Sequence, residues 1–204
     1  MLGVYSEALA SGRLLRLRHD DGHLQQYDVS VWTRDADPTD VRLLARCTGA
    51  TLDLGCGPGR LVAALAERAL PALGVDISVR AVEMARRRGA SAIVRDLFAP
   101  LPGEGRWACA VLADGNIGIG GDPARLLRRV RDLLQPGGAA LVEVSVLDVD
   151  RCGRARILAL DGTASRSFAW ADVGLPALRR AAGATGWVLE QSWDDHGRRF
   201  AALR

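Results

Sequence analysis

A chain of 204 residues, 49% of them hydrophobic, is long enough to bury one sizeable core, so a single domain is the default expectation. Its 27 basic residues are all arginine, which excludes Schiff-base chemistry, a lysine general base and a phosphate-binding lysine. The formal net charge is +3, and the arginines are scattered or sit beside acids instead of forming a stripe with interleaved aromatics, so nucleic acid is not indicated as a partner.

No run approaches the length of a membrane span. The first 21 residues, interrupted by Glu7 and several arginines, read neither as a signal peptide nor as an anchor, so a soluble, cytoplasmic protein with no membrane partner is expected. Residues 13–28 predict a β-hairpin turning at Asp21-Gly22. His19 and His23 flank that turn at a metal-like spacing, but a hairpin tip would leave them solvated, and no metal is expected there. Tyr27 and Trp32 follow. Cys47, Cys56, Cys109 and Cys152 have no paired spacing and read as reduced, mostly buried thiols.

From residue 51 to 146 buried-strand runs alternate with helix-period segments, the pattern of a parallel sheet covered by helices on both faces. Thr51–Leu54 is the first strand, and Pro58 opens a helix through Leu61, Val62, Leu65 and Ala69. Residues 71–76 form a second strand, Ser78 caps a helix to Arg88, and 91–96 form a third strand. The arginine run 86–88, just before Gly89, suits a solvated helix end. A fourth strand covers 107–114. Asp122 and Pro123 open a helix to Leu134, residues 136–138 stop it, and 139–146 make a fifth strand. A second hairpin is expected over 154–170 around Asp161-Gly162, then a helix from Leu175 to Ala182 ending at Gly183. Strands 187–195 and 198–204, joined at His196-Gly197, close the chain as an antiparallel pair.

The segment LDLGCGPGRL (52–61) carries the chemistry. A strand, a glycine loop and a helix, followed by an acid at the end of the next strand, here Asp76, form the general adenosine-binding arrangement. The dinucleotide pattern requires glycine at position 60, where this chain has Arg60, so a dehydrogenase is disfavoured. Asp53 at the entrance of the loop would oppose a pyrophosphate and favour a ligand carrying an ammonium and a sulfonium, or else it fixes the loop amides without touching ligand.

Asp53-Leu-Gly55-Cys-Gly57-Pro-Gly59 resembles the D/E-x-G-x-G-x-G motif of class I S-adenosylmethionine-dependent methyltransferases. Residues 74–78 resemble the family's ribose motif, 94–102 its adenine motif, and 129–144 its helix, turn and fifth strand. The resemblance implies an α/β, doubly wound, mostly parallel seven-stranded sheet with a terminal antiparallel hairpin, a Rossmann-like methyltransferase fold. It implies S-adenosyl-L-methionine as cofactor and Asp53, Gly55, Cys56, Gly57, Gly59, Asp76, Ile77, Asp96, Leu97 and Asp114 as its contacts. Asp96 would meet the adenine amino group and Leu97 the ring. The implied layout is one domain over 1–204: a helix and hairpin cap (1–46), a cofactor core (47–146), a hairpin insertion (147–171), then a helix and antiparallel strands (172–204). Two departures are Ala108, where many relatives carry aspartate, and the stretch DGNIGIGGD (114–122), which replaces an aromatic or histidine-rich segment.

The implied activity is methyl transfer to a small-molecule acceptor whose identity and reacting atom the sequence leaves open. Tyr27, Trp32, Phe168 and Trp170 are candidate acceptor-binding residues, or else staples of their segments onto the core. Asp114 and Asn116 are candidate catalytic residues that would orient a nucleophile or take its proton. Otherwise they anchor the methionine end of the cofactor and support a turn. Asp114, Asn116, Asp148 and Asp150 do not match the spacing of magnesium-dependent catechol methyltransferases, so no metal is expected. The rival readings are a non-catalytic cofactor-binding regulatory module and an RNA or protein methyltransferase, the latter weakened by the lack of an N/D-P-P-Y-like stretch after the fourth strand.

Overall fold

The computed structural model describes residues 2–12, 14–159 and 162–204. In chain order they form α1 (Leu2–Ser11), β1 (Leu15–His19), β2 (Leu24–Tyr27), α2 (Ser30–Thr33), α3 (Pro38–Leu44), β3 (Thr51–Leu54) and α4 (Arg60–Glu67). Next come β4 (Ala72–Asp76), α5 (Val79–Arg87), β5 (Ala92–Val94), β6 (Trp107–Leu112), α6 (Pro123–Leu133) and β7 (Leu134–Val144). The remainder holds β8 (Asp150–Leu158), β9 (Phe168–Val173), α7 (Leu175–Ala184), β10 (Leu189–Asp195) and β11 (Arg198–Leu203).

Seven strands form one sheet in the order β10-β11-β7-β6-β3-β4-β5. β7 through β5 run parallel, and β11 and β10 add the antiparallel C-terminal pair, as the sequence implied. Strand alternation distributes the core. Ala110, Leu112, Ala140, Val142 and Val144 pack toward α6 and α7, whereas Cys109, Val111 and Leu141 pack toward α3 and α4. The strand order reverses between β3 and β6, so the carboxyl ends of these strands open a crevice of the kind that binds ligands in open α/β sheets.

Side-chain caps set the starts of three helices. Ser78 accepts the Ala81 N–H on α5, Asp122 accepts the Arg125 N–H on α6, and Asp37 and Asp40 form a reciprocal capping box on α3. Other boundaries differ from expectation. α4 begins at Arg60, not Pro58, because the loop spends one more residue, Gly59, in the left-handed conformation before the helix. α6 ends at Leu133, ahead of the expected stop at 136–138, and β7 takes in those residues, running Leu134–Val144 where 139–146 was expected. α7 passes through Gly183 to Ala184. His19 is buried within β1 instead of solvated at the hairpin tip. Cys47, Cys56 and Cys109 are buried free thiols and Cys152 is an exposed one.

The two internal hairpins were expected to flank the sheet separately. Instead β1 pairs with β8, and the hairpins merge into a second, antiparallel sheet of order β2-β1-β8-β9. Asp161, half of the expected second turn, lies outside the described residues. This sheet lies over the crevice, joined to the larger one by bridges at Ile119–Trp170 and Ser145–Gly174. Among the described residues no helix is long and apolar enough to cross a membrane.

Candidate active site

β3 ends at Leu54, and Gly55, Gly57 and Gly59 follow with φ of +81°, +51° and +82°, a region costly for residues with a Cβ. A Cβ on Gly55 would stand 2.6 Å from Asn116 Nδ2, which donates to the Leu54 and Gly55 carbonyls at 3.1 and 2.9 Å. The loop is thus tied down from the β6–α6 connection. The Gly57 N–H donates to Asp76 Oδ2 at 2.9 Å and the Ser78 N–H to Asp76 Oδ1 at 2.8 Å, so one carboxylate joins the loop to the start of α5. Burial pushes the Asp76 carboxyl above its usual range, against the pull of these amides.

A cavity of about 350 Å³ opens over this loop. Gly55–Pro58, Asp76, Ile77, Asp96 and Leu97 line one side of it, and Tyr27, Trp32, Phe168 and Trp170 of the covering segments line the other. The Trp32 ring lies 5.7 Å from Tyr27 and 6.2 Å from Tyr5, and Phe168 meets Trp170 edge-on at 6.2 Å. The Tyr27 hydroxyl accepts the Trp170 indole N–H, and burial raises the phenol's pKa, which keeps it neutral. A second cavity of about 260 Å³ shares Tyr27, Trp32 and Asp114 with the first, and Gln25, Gln26, Asp28, Glu143 and Asp172 are among its other walls.

Beneath the loop lies a closed ring of ion pairs. Arg60, 5% exposed, reaches Asp40 at 2.9 and 3.2 Å and Asp114 at 2.7 and 3.1 Å. Arg198 of β11 grips Asp40 at 2.8 Å and both oxygens of Glu143 at 2.8 and 2.7 Å. Glu143 in turn accepts the Asp114 N–H at 2.7 Å. Asp40 is 0% exposed; burial lifts its carboxyl, but the two guanidiniums outweigh burial and hold it below its usual range. Burial likewise works against the charge on Arg60, and its two carboxylate partners overcome it.

Most of the residues singled out in the sequence therefore meet at one cavity, with two exceptions. Asp53 was expected at the loop entrance facing the ligand, but its side chain is 2% exposed and absent from the cavity wall. Its Oδ2 has no hydrogen-bond partner among the described residues, and burial lifts its carboxyl to about 7. Gly59 also lies off the wall: a Cβ there would stand 2.6 Å from Ala85 Cβ, so its smallness serves the close packing of α4 on α5. The expected roles of Asp114 and Asn116 in moving a proton meet a different arrangement. Both Asp114 carboxylate oxygens accept from Arg60, and the Asn116 amide braces the loop. Sequence reasoning missed Tyr5, whose hydroxyl would lie 3.6 Å from a Cβ on Gly57, and the Arg60 partners; neither leaves a local signal.

A parallel sheet with a glycine loop after its central strand and an acid ending the next strand defines a Rossmann-like fold. Residues 51–138 match the family model of the methyltransferase domain. The chain is 35% identical over 150 residues to an uncharacterised 37.1 kDa transposon protein of Streptomyces fradiae, a match that covers 66% of this chain and 42% of that protein's length. It superposes on an S-adenosylmethionine-dependent methyltransferase of Bacteroides fragilis, solved with S-adenosylhomocysteine, with a TM-score of 0.78 at 22% identity, over 99% of this chain and 92% of that one. The Burkholderia thailandensis 1,6-didemethyltoxoflavin N1-methyltransferase, solved with its acceptor and S-adenosylhomocysteine, gives 0.63 at 20% identity, over 99% and 87%. Over residues 51–138 the chain is thus similar to the methyltransferase domain, and its fold is that of solved S-adenosylmethionine-dependent methyltransferases.

Proposed function

We propose that the protein transfers the methyl group of S-adenosylmethionine to a small-molecule acceptor in the space between its two sheets. The observation that carries this reading is that the glycine loop, Asp76 and the hairpin aromatics line a single cavity. The residues fit the cofactor in two respects. Gly55 and Gly57 present bare backbone to the cavity, and the Asp76 carboxylate, with one amide on each oxygen, keeps lone pairs for the ribose hydroxyls. Ile77, Asp96 and Leu97 would flank the adenine, with Cys56 beside the loop backbone.

When bound, the cofactor supplies a methyl group already activated by its sulfonium, so the protein's own task is alignment and exclusion of water. Tyr5, Tyr27, Trp32, Phe168 and Trp170 form the apolar cover that excludes water. Asp114 stands where the two cavities meet. With both oxygens held by Arg60 it orients an acceptor instead of removing its proton. The acceptor approaches through the second cavity, past Tyr27 and Trp32. The Burkholderia neighbour, solved with 1,6-didemethyltoxoflavin and S-adenosylhomocysteine bound, supports a small-molecule acceptor.

The test is calorimetric titration with S-adenosylmethionine and S-adenosylhomocysteine, followed by a screen of small metabolites for methyl gain by mass. Binding with methyl gain on one metabolite class is the expected result. Binding with no methyl gain on any metabolite, but gain on RNA or protein, would overturn the small-molecule reading.

A further inference from the structure

We propose that Arg198, on the C-terminal hairpin, is a positioning residue that sets the geometry of the cofactor end of the site without touching ligand. This inference rests on the methyltransferase reading of the cavity. Arg198 is on the wall of neither cavity. Its guanidinium nonetheless holds the two carboxylates that fix the site's own charged residues. Its Nη1 donates to Asp40, which also takes two bonds from Arg60, and its Nε and Nη2 donate to Glu143, which accepts the backbone N–H of Asp114. Arg60 and Asp114, both on the cavity wall, are therefore each held by an acid that Arg198 holds in turn.

Charge counting shows why the ring depends on it. Two guanidiniums face the three carboxylates Asp40, Asp114 and Glu143, with a fourth, Asp37, 3.9 Å from Arg198 and itself paired with Arg34, so the three carboxylates alone outnumber the two cations in a largely buried place. Without Arg198, one cation faces three anions. Arg60 would then be drawn fully onto Asp40, which is 0% exposed and cannot turn to solvent, and would release Asp114. Glu143 would lose both of its guanidinium bonds and with them the orientation that receives the Asp114 N–H. The fork geometry matters as well as the charge, because Arg198 bonds three carboxylate oxygens on two residues, and a lysine ammonium on that strand can serve one carboxylate at a time. The sequence signals none of this, since Arg198 follows a His-Gly turn in a strand whose residues from Phe200 to Leu203 serve the core.

The experiment titrates S-adenosylhomocysteine into wild type, Arg198→Ala, Arg198→Lys and, as a control, Arg199→Ala, while recording each thermal midpoint. Arg199 is the next residue on the same strand and pairs with Asp194 outside the ring. Arg198→Ala is expected to weaken S-adenosylhomocysteine about tenfold or more, Arg198→Lys to recover part of that loss, and Arg199→Ala to bind as wild type. Combining Arg198→Ala with Asp114→Asn should cost less affinity than the two single losses multiplied, as members of one network require. Arg198→Ala and Arg198→Lys that melt lower but bind like wild type would reduce Arg198 to a structural residue and overturn the proposal. If Arg198→Ala does not fold, Arg198→Lys decides alone: unchanged affinity overturns the proposal, weakened affinity at a near wild-type midpoint supports it. Wild type that fails to bind S-adenosylhomocysteine would overturn the methyltransferase reading itself, a result distinct from failure of the Arg198 assignment.

Discussion

The glycine-loop end of the molecule and the sheet that covers it reach the same cavity from opposite directions in sequence. The loop end is assembled between Thr51 and Val94 from a strand, a turn, a helix and the next strands, each laid beside the last. The cover is assembled by pairing Leu17 with Ile157, so its register joins the two ends of the chain. The loop end supplies backbone, one acid and tight turns. The cover supplies aromatic bulk and almost no charge to the shared wall. A ligand site of this kind takes its polar recognition from local chain geometry and its exclusion of water from long-range pairing.

Four substitutions test that division, and the largest effect is expected beneath the loop. Arg60→Ala removes the partner of two carboxylates, one of them fully buried, and should cost about 3–5 kcal/mol of stability, the usual penalty for breaking a buried ion pair. Chemical denaturation checks this, and a cost near zero would mean the ring is solvated.

The next effect is expected where the two regions touch. A Cβ on Gly118 would stand 2.0 Å from the Ala171 carbonyl oxygen of β9 and 3.0 Å from the Trp170 ring. Backbone cannot yield as a side-chain tip does, so Gly118→Ala should cost about 3 kcal/mol and lower the thermal midpoint at about 2–4 °C per kcal/mol. An unchanged midpoint would show that the cover is not packed on the sheet.

How far each region can be read from sequence follows from the same contrast. Gly55, Gly57, Gly59 and Asp76 were legible because their spacing is local and each answers a local demand: a turn, a close approach, a cap. Asp122 and Ser78 were legible for the same reason. The merged sheet was not, because the β1–β8 pairing joins strands whose alternation suits a free hairpin equally well, and only their common burial selects the partner. Arg60 was visible only as a missing glycine. Its meaning came from Asp40 and Asp114, brought to it by the fold. Asp53 was visible but misplaced, since a strand residue beside a loop can point to the ligand or under it, and the pleat turned it under.

A smaller effect is expected on the loop side. Asp76→Ala should weaken cofactor binding by about 1–3 kcal/mol, because it removes the acceptor of the ribose hydroxyls, and should also lower stability by freeing the Gly57 and Ser78 N–H groups. Stability lost with affinity unchanged would make Asp76 a loop strut only.

The last concerns pH and Asp53. Its carboxyl ionises near pH 7 in the folded chain and near the usual carboxylate range when unfolded, so the folded state holds more protons between these values. Wild-type stability should therefore fall as pH rises through that window. Asp53→Asn should match wild type near the acid end and gain on it progressively in thermal midpoint as pH rises to 7 and above. A constant offset between the two proteins across that range would contradict the buried, unpaired assignment of this carboxylate.

The central claim is that the space between the two sheets is the cofactor site, and calorimetric titration of S-adenosylhomocysteine into wild type and Asp76→Ala tests it most directly. Saturable one-to-one binding to wild type, weakened roughly 5-fold to 150-fold in Asp76→Ala at a temperature where that variant remains folded, is the predicted result. Absence of binding to folded wild type, or equal affinity in the two proteins, would contradict it.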